Sequence, residues 1–162
     1  MAVKDGRTVV RALVARGTLR LRVESTVSLP RFGDAAETIE RPVLTDEQLA
    51  AVKAITSALE SGEGGAFLLH GVTGSGKTEV YLRVLEEALA RGRGGLLLVP
   101  EIALAPGLIR RVIGRFGERV ALLHSGLSDG ERSAAWERVR RGEVDAVVGP
   151  RSAVFAPLPR LG

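Results

Sequence analysis

The sequence predicts an α/β domain, a parallel sheet flanked by helices, and three observations carry that prediction. Short apolar runs alternate with helical stretches along most of the chain. The runs are continuously apolar, as strands buried on both faces of a parallel sheet are, rather than alternating like a half-solvated strand. A Gly-rich loop, Gly71 to Thr78, joins the first such run to the helix that follows it. Regular strand-helix alternation gives layered folds with right-handed crossovers.

Taken in order, Val9, Val10, Leu13 and Val14 recur at helical spacing and stop at Gly17, which predicts a helix over Thr8 to Ala15 with a glycine stop. Leu19, Leu21 and Val23 then alternate with Arg20, Arg22 and Glu24, the pattern of a half-buried strand. Pro30, Gly33, Asp34 and the polar run Glu37, Thr38, Glu40 and Arg41 mark a boundary, so that residues 1–43 form one unit and 44–162 another. A piece as small as the first cannot bury a core alone and needs the second unit or chain upstream of it.

The second unit opens with a helix carrying Leu49, Val52, Ile55 and Leu59 on one face, with Thr45 as N-cap, Gln48 completing a capping box and an end near Gly62. Four apolar runs follow and are read as strands: Ala66 to Leu69, Leu96 to Val99, Val120 to Leu123 and Ala146 to Val148. Helices are predicted between them at Lys77 to Arg91, Leu104 to Phe116 and Asp129 to Arg141, the last with Ser128 and Glu131 as a second capping box.

Composition narrows the chemistry. The 162 residues include no Cys and two isolated His, His70 and His124, which excludes disulfides, thiol nucleophiles and Cys-ligated zinc within this stretch and leaves hard, oxygen-liganded metals. No run approaches the ~20 apolar residues of a membrane helix, and Met1 to Asp5 do not start a signal peptide, so a soluble intracellular location is expected. Of 23 basic residues 20 are Arg, the better phosphate fork, though a general bias toward Arg, Ala and Gly explains that equally well. Residues 1–43 hold eight basic and five acidic side chains against fifteen and fourteen in the rest, so the positive excess sits where a polyanion could be met.

Gly71-Val72-Thr73-Gly74-Ser75-Gly76-Lys77-Thr78 satisfies the phosphate-loop pattern G-x-x-x-x-G-K-[ST] between a predicted strand and a predicted helix. Its glycines allow the backbone turns that converge N–H groups on a phosphate, and the helix beginning there adds its positive dipole end. Lys77 would reach the β- and γ-phosphates of ATP and the Thr78 hydroxyl would ligate Mg²⁺, which makes this pair the catalytic candidates and the whole loop the cofactor-binding one. Turnover needs a further carboxylate at a strand end. Glu101 is the one strand-end candidate, and Pro100 before it fits a loop better than a metal ligand. A Ser-His pair at His124 and Ser125 has no third group to orient it.

With these motifs in place, residues 44–162 resemble the first motor lobe of a superfamily 2 DNA helicase, and among those most closely the replication-restart (primosomal) helicases. The resemblance rests on LTDEQ at 44–48, LLHGVTGSGKTEVYL at 68–82, LLLVPEIALAP at 96–106, LLHSGLSDGER at 122–132 with Trp136, and VVGPRSAVFAPLPRLG at 147–162. It implies a RecA-like P-loop NTPase lobe, incomplete here, in which 44–162 is the N-terminal part of the ATP-binding lobe and 1–43 part of a winged-helix DNA-binding domain with its linker. It implies that Gln48 contacts adenine, beside its capping role, and that Pro100, Glu101, Ile102, Gly149, Arg151 and Ser152 touch the backbone of single-stranded DNA.

The resemblance further implies an ATP- and Mg²⁺-dependent 3′–5′ helicase that recognises abandoned, forked replication sites and restarts replication by primosome assembly, working with primosome proteins and single-strand-binding protein in the cytoplasm at the nucleoid. It places an Asp-Glu-Glu-His motif, a second lobe and zinc-binding cysteines after Gly162, so these 162 residues are expected to bind nucleotide without hydrolysing it. Two rivals stay open: another P-loop DNA translocase, such as a restriction or transcription-repair motor, and a nucleotide-gated DNA-binding adaptor that never hydrolyses ATP.

Overall fold

A computed structural model of the chain describes residues 6–20, 41–62, 64–100 and 106–162. Five helices, α1 (Gly6–Ala15), α2 (Asp46–Ser61), α3 (Lys77–Ala90), α4 (Pro106–Phe116) and α5 (Asp129–Arg140), and three strands, β1 (Gly95–Leu98), β2 (Val120–Leu122) and β3 (Ala146–Gly149), are found among these residues. The strands form one parallel sheet in the order β1-β3-β2. β3 is central, with Val147 opposite Leu96 on one side and Ala121 on the other.

The α/β class with a parallel sheet is therefore present, and its cause is the one the apolar runs suggested: all four residues of β3 and all three of β2 are buried. Two apolar layers cover the sheet. Leu82, Leu85, Ile109, Val112 and Phe116 of α3 and α4 pack with Val120, Leu122, Ala146 and Val148. Ala121, Val147, Ala135, Val139 and Ala153 form the opposite layer with α5. Period-2 alternation splits each strand's side chains between the layers.

Both capping boxes form. Thr45 accepts from the Gln48 N–H while Gln48 Oε1 accepts from the Thr45 N–H at 3.0 Å, and α2 ends at Gly62 in the left-handed region, φ 71°. Glu131 accepts from both the N–H and the hydroxyl of Ser128, at 2.8 and 2.7 Å.

Three expectations change. Residues 66–69, read as a strand, pair with no strand among the described residues; Leu68 is 91% exposed and Phe67 half-exposed. A strand needs a neighbour for its N–H and C=O groups, and here a cavity of about 400 Å³ lies between residues 64–67 and the nearest edge strand, β1. β1 itself begins one residue earlier than expected, with the bridge Gly94–Leu161 just before it. The predicted strand from Leu19 to Val23 falls largely in residues 21–40, outside the described residues, and Leu19 and Arg20 are not in a strand. The expected helix at Thr8 to Ala15 is present as α1, and Gly17 adopts φ 70° after it.

Two glycines test the packing in opposite directions. A Cβ on Gly149 would stand 2.9 Å from both Ala153 Cβ and Leu123 O, whereas one on Gly130, in the first turn of α5, meets nothing within 4 Å. Gly149→Ala is expected to destabilise by about 1–3 kcal/mol through overpacking, and Gly130→Ala to be neutral or to stabilise by up to ~1 kcal/mol; urea unfolding of both variants checks the sign.

A pH prediction comes from the second capping box. Hydrogen bonds from the Ser128 hydroxyl and N–H hold the Glu131 carboxyl below the ordinary carboxylate range. A depressed folded-state value contributes stability that is full above the unfolded value and is lost as pH falls through the folded one. Ser128→Ala should return the Glu131 titration, followed by NMR of its carboxyl carbon, toward the ordinary range and shift the acid loss of α5 to higher pH.

Candidate functional site

The loop from Gly71 to Thr78 is shaped by its glycines. Gly74 and Gly76 take φ of 84° and 80°, a region L-residues rarely adopt, and Gly76 is the cap from which α3 starts. No side chain caps that helix end. The first-turn N–H groups of a helix lack intrahelical partners, so the loop and helix together present a concave set of donors under the positive end of the dipole.

Lys77 and Thr78 are the first two residues of α3. The Lys77 ammonium donates to the carbonyls of Gly71 and Val72 at 2.7 and 2.8 Å, which folds it over its own loop with one of its three N–H groups still to place. A bound phosphate would compete directly for those donors. The Thr78 side chain is half-buried at the same helix start.

Gln48 reaches this loop from α2. Its Nε2 donates to Ser75 O at 2.9 Å while its Oε1 serves the α2 cap, so one carboxamide fixes the helix start and the phosphate loop together. It retains one N–H and one lone pair for a further partner. Gly76 is favoured by its φ of 80°, and a Cβ there would stand 2.4 Å from Gln48 Nε2, so the carboxamide would have to give up its bond to Ser75 O or shift.

Immediately after Thr78, Glu79 is the one buried charged residue among those described. Arg115 of α4, its side chain 4% exposed, donates to both Glu79 oxygens at 2.9 and 3.0 Å, and Arg83 Nε adds a third bond at 2.9 Å. Glu86 lies 3.6 Å from Arg115 and 3.1 Å from Arg41, and Arg83 also bonds Pro42 O at 3.2 Å. The network ties the helix carrying Lys77 and Thr78 to α4 and to residues 41–42. Spacing alone did not reveal it, because Glu79 and Arg115 are 36 residues apart.

The DNA-contact candidates divide. Pro100, Arg151 and Ser152 line one cavity of about 1040 Å³ at the C-terminal ends of β1, β2 and β3, whereas Gly149 does not line it and instead packs against Leu123 and Ala153. Glu101 and Ile102 lie outside the described residues. The same cavity gathers His124, Arg132, Trp136 and Phe155, which the motif reading did not mark as binding residues. Their signal in sequence was only that they fall within the segments that carry the family resemblance, 122–132 with Trp136 and 147–162. The P-loop residues do not line this cavity, so the molecule offers two separate surfaces.

Residues 45–160 match the DEAD/DEAH box helicase family. The chain is 47% identical over 153 residues to the replication restart protein PriA of Bacillus subtilis, covering 94% of this chain and 19% of that protein. It is 50% identical over 119 residues to PriA of Treponema pallidum, 74% of this chain and 18% of that protein, and 55% identical over 95 residues to PriA of Synechocystis, 59% of this chain and 11% of that protein. The chain thus spans under a fifth of the length of these relatives.

The buried ion pair yields a prediction. Removing one partner of a buried pair leaves an uncompensated charge. Arg115→Ala should lower stability by about 3–5 kcal/mol in urea unfolding, while the double change Glu79→Gln with Arg115→Met should recover much of that loss.

Proposed function

The chain belongs to the DEAD/DEAH box helicase family, and from that premise we propose that residues 44–162 are the N-terminal part of a first ATP-binding motor lobe, with residues 1–43 part of a winged-helix DNA-binding domain. The observation that carries the nucleotide reading is the cradle at Gly71–Thr78: two positive-φ glycines, an uncapped helix start and an ammonium poised over the loop. Mg²⁺-ATP bound there would supply the phosphoryl group whose hydrolysis drives movement. On this reading Lys77 neutralises its β- and γ-phosphates, Thr78 places a hydroxyl on the metal, and Gln48 offers its remaining donor and acceptor to the adenine edge.

In the longer protein the proposed activity is ATP-dependent 3′–5′ movement on DNA at abandoned forks, followed by primosome assembly. Primosome proteins and single-strand-binding protein would be its partners, zinc would be held by cysteines outside this stretch, and the protein would act at the nucleoid. The relatives' printed name, replication restart protein, supports the reading. No helix among the described residues is long and apolar enough to cross a membrane.

These 162 residues by themselves are proposed to bind Mg²⁺-ATP without turning it over. β2 runs into His124 and β3 into Pro150, so neither strand end supplies a carboxylate to activate water. Calorimetric titration with Mg²⁺-ATP should show binding that Lys77→Ala reduces at least tenfold, with no phosphate release above background when single-stranded DNA is added. Lys77-dependent turnover by this chain would overturn the proposal.

A further inference from the structure

The cavity at the strand ends does more than its proposed role in phosphate contact requires. Its lining joins the exposed Phe155, 77% accessible, to the half-buried Trp136, and includes Arg132, Arg151 and Ser152. Among the described residues no carboxylate lines it. The volume, about 1040 Å³, is at the upper end of the ~300–1,000 Å³ typical of clefts that enclose small ligands.

His124 lines the cavity, but its Nε2 is buried away from the opening, without a hydrogen-bond partner among the described residues. Two arginines would suit any phosphate. Aromatic faces suit a flat, partly apolar ring. A ligand that combines both is a nucleotide within a single strand, whose base stacks on aromatic rings while its phosphates meet Arg.

We propose that this cavity receives an unstacked base of single-stranded DNA, with Phe155 and Trp136 as the stacking surfaces and Arg132 and Arg151 holding the flanking phosphates. The inference rests on the DNA-motor reading and deepens it: the lobe grips its track through a base as well as through the backbone. Stacking is tolerant of sequence, because every base has a π-face. It suits a protein that must step along DNA of any sequence.

Trp136 is the single tryptophan of the chain, so its fluorescence reports on this cavity alone. Titration of the 162-residue chain with a short oligothymidylate should quench that fluorescence. An oligonucleotide of equal length whose sites are all abasic, with the same phosphate charge, should bind about tenfold more weakly and leave the fluorescence unquenched. Phe155→Ala, at an exposed position where folding is little affected, should weaken oligothymidylate binding by a similar factor while leaving Mg²⁺-ATP affinity unchanged. Equal binding of the abasic strand, undiminished affinity in Phe155→Ala, or no quenching by oligothymidylate overturns the proposal. The nucleotide reading fails separately: if Mg²⁺-ATP does not bind but oligothymidylate still quenches Trp136, the cavity stands and the P-loop assignment falls.

Discussion

Everything in this molecule hangs on the double pairing of β3. It is hydrogen-bonded to β1 on one side and β2 on the other, and each of its residues is buried. A strand in that position has no tolerance for polar or bulky substitution on either face. Its register fixes where β1 and β2 end, and so where the loops after Leu98, Leu122 and Gly149 emerge. The ~1040 Å³ cavity is the consequence, since three parallel strands that stop at one level leave a crevice beyond their carboxyl ends. Gly149 matters for the same reason: with no side chain it lets Ala153 and the Leu123 carbonyl close in on the end of β3.

The phosphate loop is secured by different means. No strand among the described residues pairs with the segment before it, and its placement depends on α2 packing against α3 and on the Gln48 carboxamide bridging Thr45 to Ser75. The Glu79–Arg115 pair then holds the first turn of α3 against α4. Buried ion pairs give little net stability, because desolvation offsets most of their attraction, but they fix geometry where a hydrophobic contact could slide. Here the fixed geometry is that of the residue next to Lys77 and Thr78. A change in the loop's contacts would therefore be felt at α4.

Surface charge contributes in a more diffuse way. Exposed pairs such as Arg119–Asp145 and the Glu137 contacts with Arg140 and Arg141 are worth little each in water. The Glu137 carboxyl, held at about 2 by those two guanidiniums, stays ionised across the physiological range. Arg132 and Arg151, by contrast, line a cavity that no carboxylate lines among the described residues.

Local pattern was enough for the class of fold, the boundaries of the helices to within a residue or two, both capping boxes, and the match of residues 71–78 to the phosphate-loop pattern. Each is a local property: helical periodicity, a Ser or Thr three residues before Glu or Gln, glycines spaced around Lys77. The continuous apolar runs also marked β1, β2 and β3 correctly, because strands buried on both faces leave that trace. The run from Ala66 to Leu69 carries the same trace but is not a strand, since pairing depends on a neighbour being within hydrogen-bonding reach and no local pattern records that. Tertiary structure alone decided the strand order, the Gln48–Ser75 bridge, the Glu79–Arg115 pair and the meeting of His124, Trp136 and Phe155 in one cavity. All of these join residues far apart in the chain, and only the packing of helices on a twisted sheet brings them within reach.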